Sequence, residues 1–212
     1  MKSKSLILFC LFSFTLSMLR IGMSYNLNFI YLNWNLFLAI LPLIFASVLQ
    51  SKQYQGLKFW FLISSWFLFF PNAPYLVTDL MYLSKIKTHI IIPFWFDIIM
   101  LSSFAINGLL LGYASSRIIF SEIEKKFSKK IAHIFTIFSL MISGYGIYIG
   151  RFWRYNSWDI FTHPNNLFID IAQTILHPLH HKNVIGLSIL FGILLCLVFY
   201  SLHETSNNKT KI

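Results

Sequence analysis

The sequence predicts an all-α, polytopic helical membrane protein with about six transmembrane helices and one extracytoplasmic interfacial amphipathic helix. Of its 212 residues, 57% are hydrophobic and only 11% are charged, whereas an ordinary soluble domain has about 25% charged residues. The mean hydropathy of +0.66 is typical of an integral membrane protein. The apolar residues form long runs separated by short polar segments. We therefore predict a single integral membrane domain over residues 1–212.

Six apolar segments approach or exceed the 20 or so residues that a helix needs to cross about 30 Å of hydrocarbon. They cover residues 5–22, 29–49, 57–76, 90–114, 131–150 and 184–202. The first has the charged start of a signal peptide but no small-residue cleavage pattern, so we predict an uncleaved helix. The third crosses fully only if the helix continues through Pro71 and Pro74.

The distribution of lysine and arginine predicts the orientation, because cytoplasmic loops are enriched in basic residues. Placing both termini in the cytoplasm puts eleven basic residues inside: Lys2, Lys4, Lys52, Lys58, Arg117, Lys125, Lys126, Lys129, Lys130, Lys209 and Lys211. Six fall on the other side: Arg20, Lys85, Lys87, Arg151, Arg154 and Lys182. This arrangement predicts a multi-pass membrane protein with two polar segments, residues 71–89 and 151–182, on its extracytoplasmic face.

The first outer segment follows an apolar run that reaches Pro71 and Pro74. Each proline removes a backbone donor and interrupts helical hydrogen bonding, and unsatisfied carbonyls at membrane depth need protein partners or a wet cavity. The nearby polar side chains either satisfy these carbonyls or bind a ligand. They are Asn72, Tyr75, Thr78 and Asp79.

The second outer segment reads GRFWRYNSWD from Gly150 to Asp159. Arginine offers a planar set of donors that suits phosphate or carboxylate, and Arg151 and Arg154 share a face if the helix continues one more turn. Aromatic residues at this depth are typical of an interfacial belt. Lipid anchoring is therefore one interpretation, and a binding site that also uses Asn156, Ser157, Trp158 and Asp159 is the other.

An amphipathic interfacial helix is predicted between Pro164 and Pro178. Phe168 and Ile175 represent its apolar side, and Asp170 and Thr174 represent its polar side. Three histidines follow at its exit: His177, His180 and His181. Histidine suits zinc, but this spacing matches no specific metal motif, so we predict no metal and keep the three only as weak candidates.

Asp97 is the one acid well inside an apolar run. A carboxylate in a membrane helix is costly and requires a partner, which makes it a functional candidate by default. We expect that partner to be Arg151 or Arg154, although the pairing is equally interpretable as structural. Gly108 and Gly112 form a small-xxx-small pattern further along the same helix, which favours close helix packing.

Three segments together resemble an uncharacterised family of bacterial multi-pass membrane proteins that is known only as a domain of unknown function. The segments are FFPNAPYLVTDL, PFWFDIIMLSSFAINGLLLGY and GIYIGRFWRYNSWDIFTHP. The resemblance implies a bacterial cell-membrane location and marks these stretches as hallmarks. It implies no activity, cofactor or residue role.

Function is accordingly predicted only as a choice among classes. The favoured class is a polar outer-face pocket that binds an anionic lipid headgroup or small solute through Asn72, Tyr75, Thr78, Asp79, Asp97, Arg151, Arg154, Asn156, Ser157, Trp158 and Asp159. The second is a membrane-embedded enzyme acting on a lipid or cell-envelope precursor, with Asp79 and Asp159 as acid–base candidates. The third is a transporter or transporter subunit. No cofactor is predicted, and the basic residues flank apolar runs rather than forming the basic face of a nucleic-acid-binding protein.

Overall fold

The computed structural model describes residues 3–25, 27–52, 54–85 and 92–208. Across these ranges the regular elements are helices, with no strand, which confirms the all-α class. The chain divides into two compact units, Met1–Ile119 and Phe120–Ile212. The single domain expected from the sequence stays a prediction.

The first unit ends within the longest helix. It contains the larger part of that helix and the helices before it. In chain order they are α1 (Ser3–Ser24), a 3₁₀ turn (Leu27–Phe29), α2 (Ile30–Lys52), α3 (Gly56–Phe69), α4 (Asn72–Tyr75), a 3₁₀ helix (Leu76–Lys85) and α5 (Phe94–Lys126). The second unit contains the end of α5, then α6 (Lys129–Tyr148), a π-helical turn (Ile149–Trp153), α7 (Asp159–Thr162), α8 (Pro164–Leu176) and α9 (Lys182–Asn208).

Six helical stretches among the described residues are long and apolar enough to cross a membrane, in agreement with the number predicted from the sequence. They are Lys4–Ser24, Leu27–Lys52, Gly56–Ser84, Phe94–Lys126, Lys129–Trp153 and Lys182–Thr205. Large apolar side chains stay exposed along them, including Leu8 and Trp34. Such apolar exposure marks a surface that water does not cover and fits a chain surrounded by lipid.

The third span continues through its prolines. Ala73 N donates to Phe70 O at 3.1 Å, and Tyr75 N donates to Pro71 O at 3.0 Å. The Phe69 carbonyl, which α-helical geometry would pair with the Ala73 amide, instead accepts from Asn72 Nδ2 at 2.9 Å. The Asn72 side chain therefore supplies a hydrogen bond where the prolines interrupt the α-helical pattern. The sequence analysis offered this as one of two interpretations, in which polar side chains satisfy backbone carbonyls near the prolines.

The proline break packs against α5 at Gly108. A Cβ atom at Gly108 would collide with the carbonyl oxygen of Ala73 and would lie 2.9 Å from Leu76 Cβ. Gly108 lies fourteen residues after Phe94, which is about 21 Å along the helix axis. Gly108, one of the small residues predicted to favour close packing, therefore packs against the proline-interrupted helix. This contact lies well inside α5, the fourth span.

The sequence analysis placed residues 71–89 in an outer polar segment, and that placement stays a prediction. The candidate span runs from Gly56 to Ser84, so the prolines lie near its middle. A full crossing was expected only if the helix continued through Pro71 and Pro74. It continues because 3₁₀ bonding and the Asn72 side chain supply the missing contacts. Residues 86–89 lie outside the described residues.

In the second unit, α6 packs closely along α9. A Cβ atom at Gly144 would collide with the Ser188 carbonyl oxygen and would lie 2.9 Å from Gly192 N. Small residues at a helix crossing let two backbones approach within contact distance. This crossing holds α6 against α9. Helix α6 leads directly into the basic and aromatic segment described below.

Candidate functional sites

The first unit contains a buried ion pair between α1 and α5. Arg20 Nε donates to Asp97 Oδ1 at 2.6 Å, and a terminal guanidinium nitrogen donates to Asp97 Oδ2 at 3.3 Å. The Phe29 ring lies 4.9 Å from the guanidinium carbon, a cation–π distance. Asp97 stands in the first turn of α5, where the helix dipole favours an anion.

The partner expected for Asp97 was Arg151 or Arg154, and that expectation is wrong. The structure pairs Asp97 with Arg20, and both side chains are buried, with exposed fractions of 1% and 4%. The sequence analysis placed Arg20 at the outer edge of the first helix and did not consider it. Since both carboxylate oxygens accept from one guanidinium, Asp97 has the satisfied environment of a structural ion pair.

A polar stripe on α1 extends this ion pair towards the middle of the membrane. Ser13 Oγ donates to Ser103 Oγ at 2.8 Å, and Asn107 Nδ2 donates to Ser13 Oγ at 2.7 Å. Ser17 Oγ lies 2.8 Å from Asn33 Oδ1 on α2. The sequence analysis missed this network.

The signal for the stripe was present in the sequence. Cys10, Ser13, Ser17 and Arg20 follow one another at intervals of three, four and three residues, which places them on one helix face. The pattern is easily missed because Ser and Cys sit within a strongly apolar run and carry no charge.

Asp79 is fully buried on the 3₁₀ helix, with an exposed fraction of 0%. Asn35 Nδ2 approaches its Oδ2 at 3.4 Å. The neighbouring Thr78 hydroxyl donates to Tyr75 O at 2.7 Å. These residues lie in the interior of the first unit, between α2 and the broken span.

In the second unit, Asp159 organises the turn that follows the second arginine. Its Oδ2 accepts from Asn156 N at 2.6 Å, and its Oδ1 accepts from the Thr162 hydroxyl at 2.8 Å. His163 Nδ1 lies 3.6 Å from the same Oδ1. The hydrogen bond from the Asn156 amide lowers the pKa of Asp159 below its ordinary value. Asp159 is therefore an ionised carboxylate with both oxygens engaged by its own turn.

The two arginines of this segment are not related as an α-helix would relate them. Helix α6 ends at Tyr148 and continues as a π-helical turn to Trp153. Arg154 then adopts a left-handed conformation with φ of 63°. The shared face expected at i, i+3 spacing depends on one more α-turn, which the structure does not form. Arg151 is half-buried and Arg154 is exposed.

Aromatic rings line the π-helical turn. Tyr148 and Phe152 stack with centroids 4.6 Å apart, and Trp153 packs edge-on against Tyr148 at 5.8 Å. Trp158 and Ser157, both half-buried, follow in the turn that Asp159 holds. An arginine beside a belt of aromatic rings is the composition of a membrane–water interface.

Helix α8 begins with Pro164 at its first turn and ends before Pro178, as predicted. Thr174 is buried, and Asp170 is partly buried and accepts a hydrogen bond from the Tyr155 hydroxyl at 2.9 Å. Phe168 and Ile175 are exposed, with fractions of 56% and 70%. The helix therefore turns Asp170 and Thr174 towards the protein and leaves Phe168 and Ile175 exposed, which suits an interfacial helix in contact with lipid.

The Tyr155–Asp170 pair was not predicted. Asp170 was placed on the polar side of α8, but sequence spacing holds no information about which side chain it would meet fifteen residues away. The hydrogen bond to Asp170 raises the pKa of Tyr155. The buried hydroxyl of Tyr145 also lies near Asp170 and Thr174.

The histidines at the exit of α8 occupy an exposed turn. His177 and His180 place their ring centroids 6.2 Å apart, and His180 N donates to His177 O at 3.0 Å. Within the described ranges, no group of three or more His, Cys, Asp or Glu side chains is arranged to hold a metal ion.

The described residues form six long apolar helices, with a buried ion pair in one unit and a basic aromatic segment in the other. These features define a polytopic helical membrane protein. The chain belongs to the family described as "Protein of unknown function (DUF1361)", whose model matches residues 34–198. Comparison with curated proteins and with solved structures found no match. The family agrees with the resemblance to an uncharacterised family and assigns no activity.

Proposed function

We propose that this protein binds an anionic lipid headgroup through residues 149–182 of its second unit, on the extracytoplasmic face of a bacterial cell membrane. Arg154 is the residue that holds the headgroup phosphate. Arg151 contributes positive charge, while Trp158 and the aromatic rings of the π-helical turn fix the segment at the interface.

The conformation of Arg154 carries the proposal. An exposed arginine at φ of 63° occupies a backbone region that costs a non-glycine residue roughly 1–2 kcal/mol. The π-helical turn before it is a rare element that occurs frequently at functional sites. An arginine at a position where glycine would fit without strain supports a role for the guanidinium itself.

The charge balance of the segment supports an anionic ligand. Residues 149–182 contain three basic residues, Arg151, Arg154 and Lys182, and two acids, Asp159 and Asp170. Asp159 is engaged by its own turn, and within the described residues it forms no ion pair with Arg154. A guanidinium forms strong, charge-assisted hydrogen bonds with phosphate oxygens.

The exposed apolar side of α8 supports a lipid rather than a free solute. Phe168, Ile175 and Leu176 are each more than half exposed, and exposed apolar area of this kind is stabilised against acyl chains. A soluble phosphate compound has no apolar part to place there.

The proposal concerns only part of the predicted ligand-binding set. Asp97 is bound by Arg20, and Asp79 lies in the interior of the first unit. Asn72 and Thr78 donate to backbone carbonyls of the broken span, Thr78 to that of Tyr75. The remaining candidates, Arg151, Arg154, Asn156, Ser157, Trp158 and Asp159, stay in the proposal as the binding segment or as its support.

Lipid binding is measured by native mass spectrometry of the protein released from nanodiscs. The discs contain phosphatidylglycerol and phosphatidylcholine with matched acyl chains. We expect Arg154→Gly to reduce phosphatidylglycerol retention about tenfold, the effect of losing one charged hydrogen bond, without loss of thermal stability, because glycine relieves the positive φ. Arg154→Lys keeps the positive charge but not the planar guanidinium. We expect this variant to retain less phosphatidylglycerol than the unmodified protein and more than Arg154→Gly.

The matched control is Lys130→Ala, which removes an exposed cation at the opposite end of α6. Unchanged phosphatidylglycerol retention in Arg154→Gly would overturn the proposal, as would an equal loss in the Lys130 variant. Free glycerol phosphate is added as a competitor. Displacement of the lipid at micromolar competitor would assign the site to a soluble phosphate compound instead.

A further inference from the structure

A histidine-rich turn joins α8 to the last of the six apolar spans. Within it, His180 N donates to His177 O at 3.0 Å. Ile185 N donates to His181 O at 3.2 Å, which connects the turn to the start of α9. The span begins at Lys182, directly after the turn. The turn therefore lies at the membrane end of α9.

Apolar and imidazole side chains are exposed side by side in this turn. Leu176 and Leu179 are 72% and 77% exposed, and His177 and His180 are exposed as well. At the end of a span, apolar side chains of this kind are stabilised against acyl chains, while polar groups reach the headgroup layer. The composition of the turn therefore suits the boundary between acyl chains and headgroups.

The rings of His177 and His180 lie close enough to act on one anion. Their centroids are 6.2 Å apart, with an interplanar angle of 77°. A protonated imidazole donates from both ring nitrogens, and a charged N–H···O bond spans about 2.7–2.9 Å. One phosphate group between the two rings can therefore accept a hydrogen bond from each.

The charges at this end of the second unit favour an anion beside the pair. Two acids are present there, Asp159 and Asp170, and each accepts a hydrogen bond from the protein. Asp170 precedes His177 by seven residues, which is about 10 Å along a helix axis. Within the described residues, neither His177 nor His180 forms a salt bridge. The basic groups at the same end are Arg151, Arg154, His163, His181 and Lys182.

We propose that His177 and His180 form a second anionic-lipid contact, which is strong only when their imidazoles are protonated. Histidine changes charge between about pH 8 and about pH 5, and each cation near a membrane surface strengthens anionic-lipid binding about fivefold. In the predicted orientation, acidification outside the cell strengthens the contact. It goes beyond the site at Arg154, because it requires neither that residue nor any approach to it.

The test measures retention of phosphatidylglycerol and phosphatidylcholine with matched acyl chains. Native mass spectrometry is applied to the full-length protein released from nanodiscs equilibrated at about pH 7.5 and about pH 5.5, with a chelator present to keep metal ions off the histidines. The phosphodiester of phosphatidylglycerol keeps its single charge at both values. We expect acidification to raise the preference of the unmodified protein for phosphatidylglycerol about fivefold or more.

Three variants assign that rise to the pair. His177→Gln/His180→Gln keeps polar side chains that cannot gain charge, so the rise falls to about twofold or less. His177→Lys/His180→Lys is charged at both pH values, so its preference is strong at both. The matched control is His163→Gln, which changes an exposed histidine whose Nδ1 lies 3.6 Å from Asp159 Oδ1. Because that carboxylate compensates the charge of His163, we expect the control to keep the full rise.

Absence of the rise in the unmodified protein overturns the histidine contact. A rise that persists in the glutamine double variant overturns it too, as does an equal loss in His163→Gln. Displacement of the retained lipid by micromolar glycerol phosphate at the lower pH would assign the pair to a soluble phosphate compound instead.

Arg154→Gly separates this contact from the proposed function. Lower retention at both pH values with the rise preserved supports both sites. Unchanged retention with the rise preserved overturns only the proposed function. Loss of the rise in Arg154→Gly overturns the histidine contact as a separate site.

Discussion

At the scale of single residues, the buried charges of the first unit define its most sensitive contact. Arg20 and Asp97 lie within a membrane-spanning unit with almost no exposed area. Two charges removed from water are stable there only as a pair with good geometry. The fork of two hydrogen bonds and the Phe29 ring supply that geometry.

Replacing Arg20 with leucine leaves the Asp97 carboxylate buried without its cation. We expect the free energy of unfolding to fall by about 3–5 kcal/mol. The double variant Arg20→Leu/Asp97→Leu removes both charges and is expected to recover most of that loss. Denaturant unfolding in detergent micelles measures all three proteins.

The control for this cycle is Lys58→Leu, which changes an exposed cation on α3. It is expected to leave the free energy of unfolding unchanged within about 0.5 kcal/mol. A double variant at least as unstable as Arg20→Leu would contradict the expected rescue, and with it the explanation that the unpaired Asp97 carboxylate causes the loss.

At the scale of elements, the third span depends on α5 for its shape. Its first part, α3, is α-helical, and its last part, Leu76–Lys85, is a 3₁₀ helix. Runs of 3₁₀ helix longer than three or four residues are uncommon, so packing must hold this one. Contact between the backbone of Ala73 and the bare Cα of Gly108 supplies that packing.

Gly108→Ala introduces a methyl group where the Ala73 carbonyl lies. We expect a loss of about 1–3 kcal/mol, the usual cost of overpacking. Gly22→Ala is the matched change, because a methyl group at Gly22 meets nothing within 4 Å and alanine favours the helix by about 1 kcal/mol. Thermal unfolding of both variants in one detergent compares them directly, and a destabilisation no larger for Gly108→Ala than for Gly22→Ala would contradict the crossing.

At the scale of the whole molecule, the distribution of positive charge still predicts both termini in the cytoplasm. Burial of Arg20 in an ion pair removes it from the loop charges, so the outer set falls from six to five basic residues against eleven. Helix α5, with 33 residues, is about 50 Å long, which exceeds the hydrocarbon core of about 30 Å. Its basic end therefore extends beyond the core.

Cysteine labelling in intact cells tests this orientation. In a background with Cys10 and Cys196 replaced by alanine, His180→Cys is expected to react with a membrane-impermeant maleimide. Lys129→Cys is expected to react only after lysis. Both positions are exposed in the structure. The reverse pattern would invert the topology and place residues 149–182 in the cytoplasm.

Sequence patterns were sufficient where a property depends on length or local composition. Apolar runs fixed the helix count, Pro164 and Pro178 marked the limits of α8, and Asp97 was recognised as an acid that required a partner. Patterns were insufficient where two distant residues had to be matched. The partner of Asp97 was assigned to the wrong arginine, because several cations fit the same charge argument. The polar outer-face pocket expected from residues of segments 71–89 and 151–182 stays a prediction.

The sequence by itself determined that this chain crosses a membrane about six times, because hydrophobic length is a local quantity that bilayer thickness converts directly into spans. Only the tertiary structure decided which polar groups meet inside it. Arg20 with Asp97 and Tyr155 with Asp170 are contacts set by helix packing and by one rare π-helical turn. Each has to be satisfied because neither lipid nor the protein interior replaces a missing hydrogen bond.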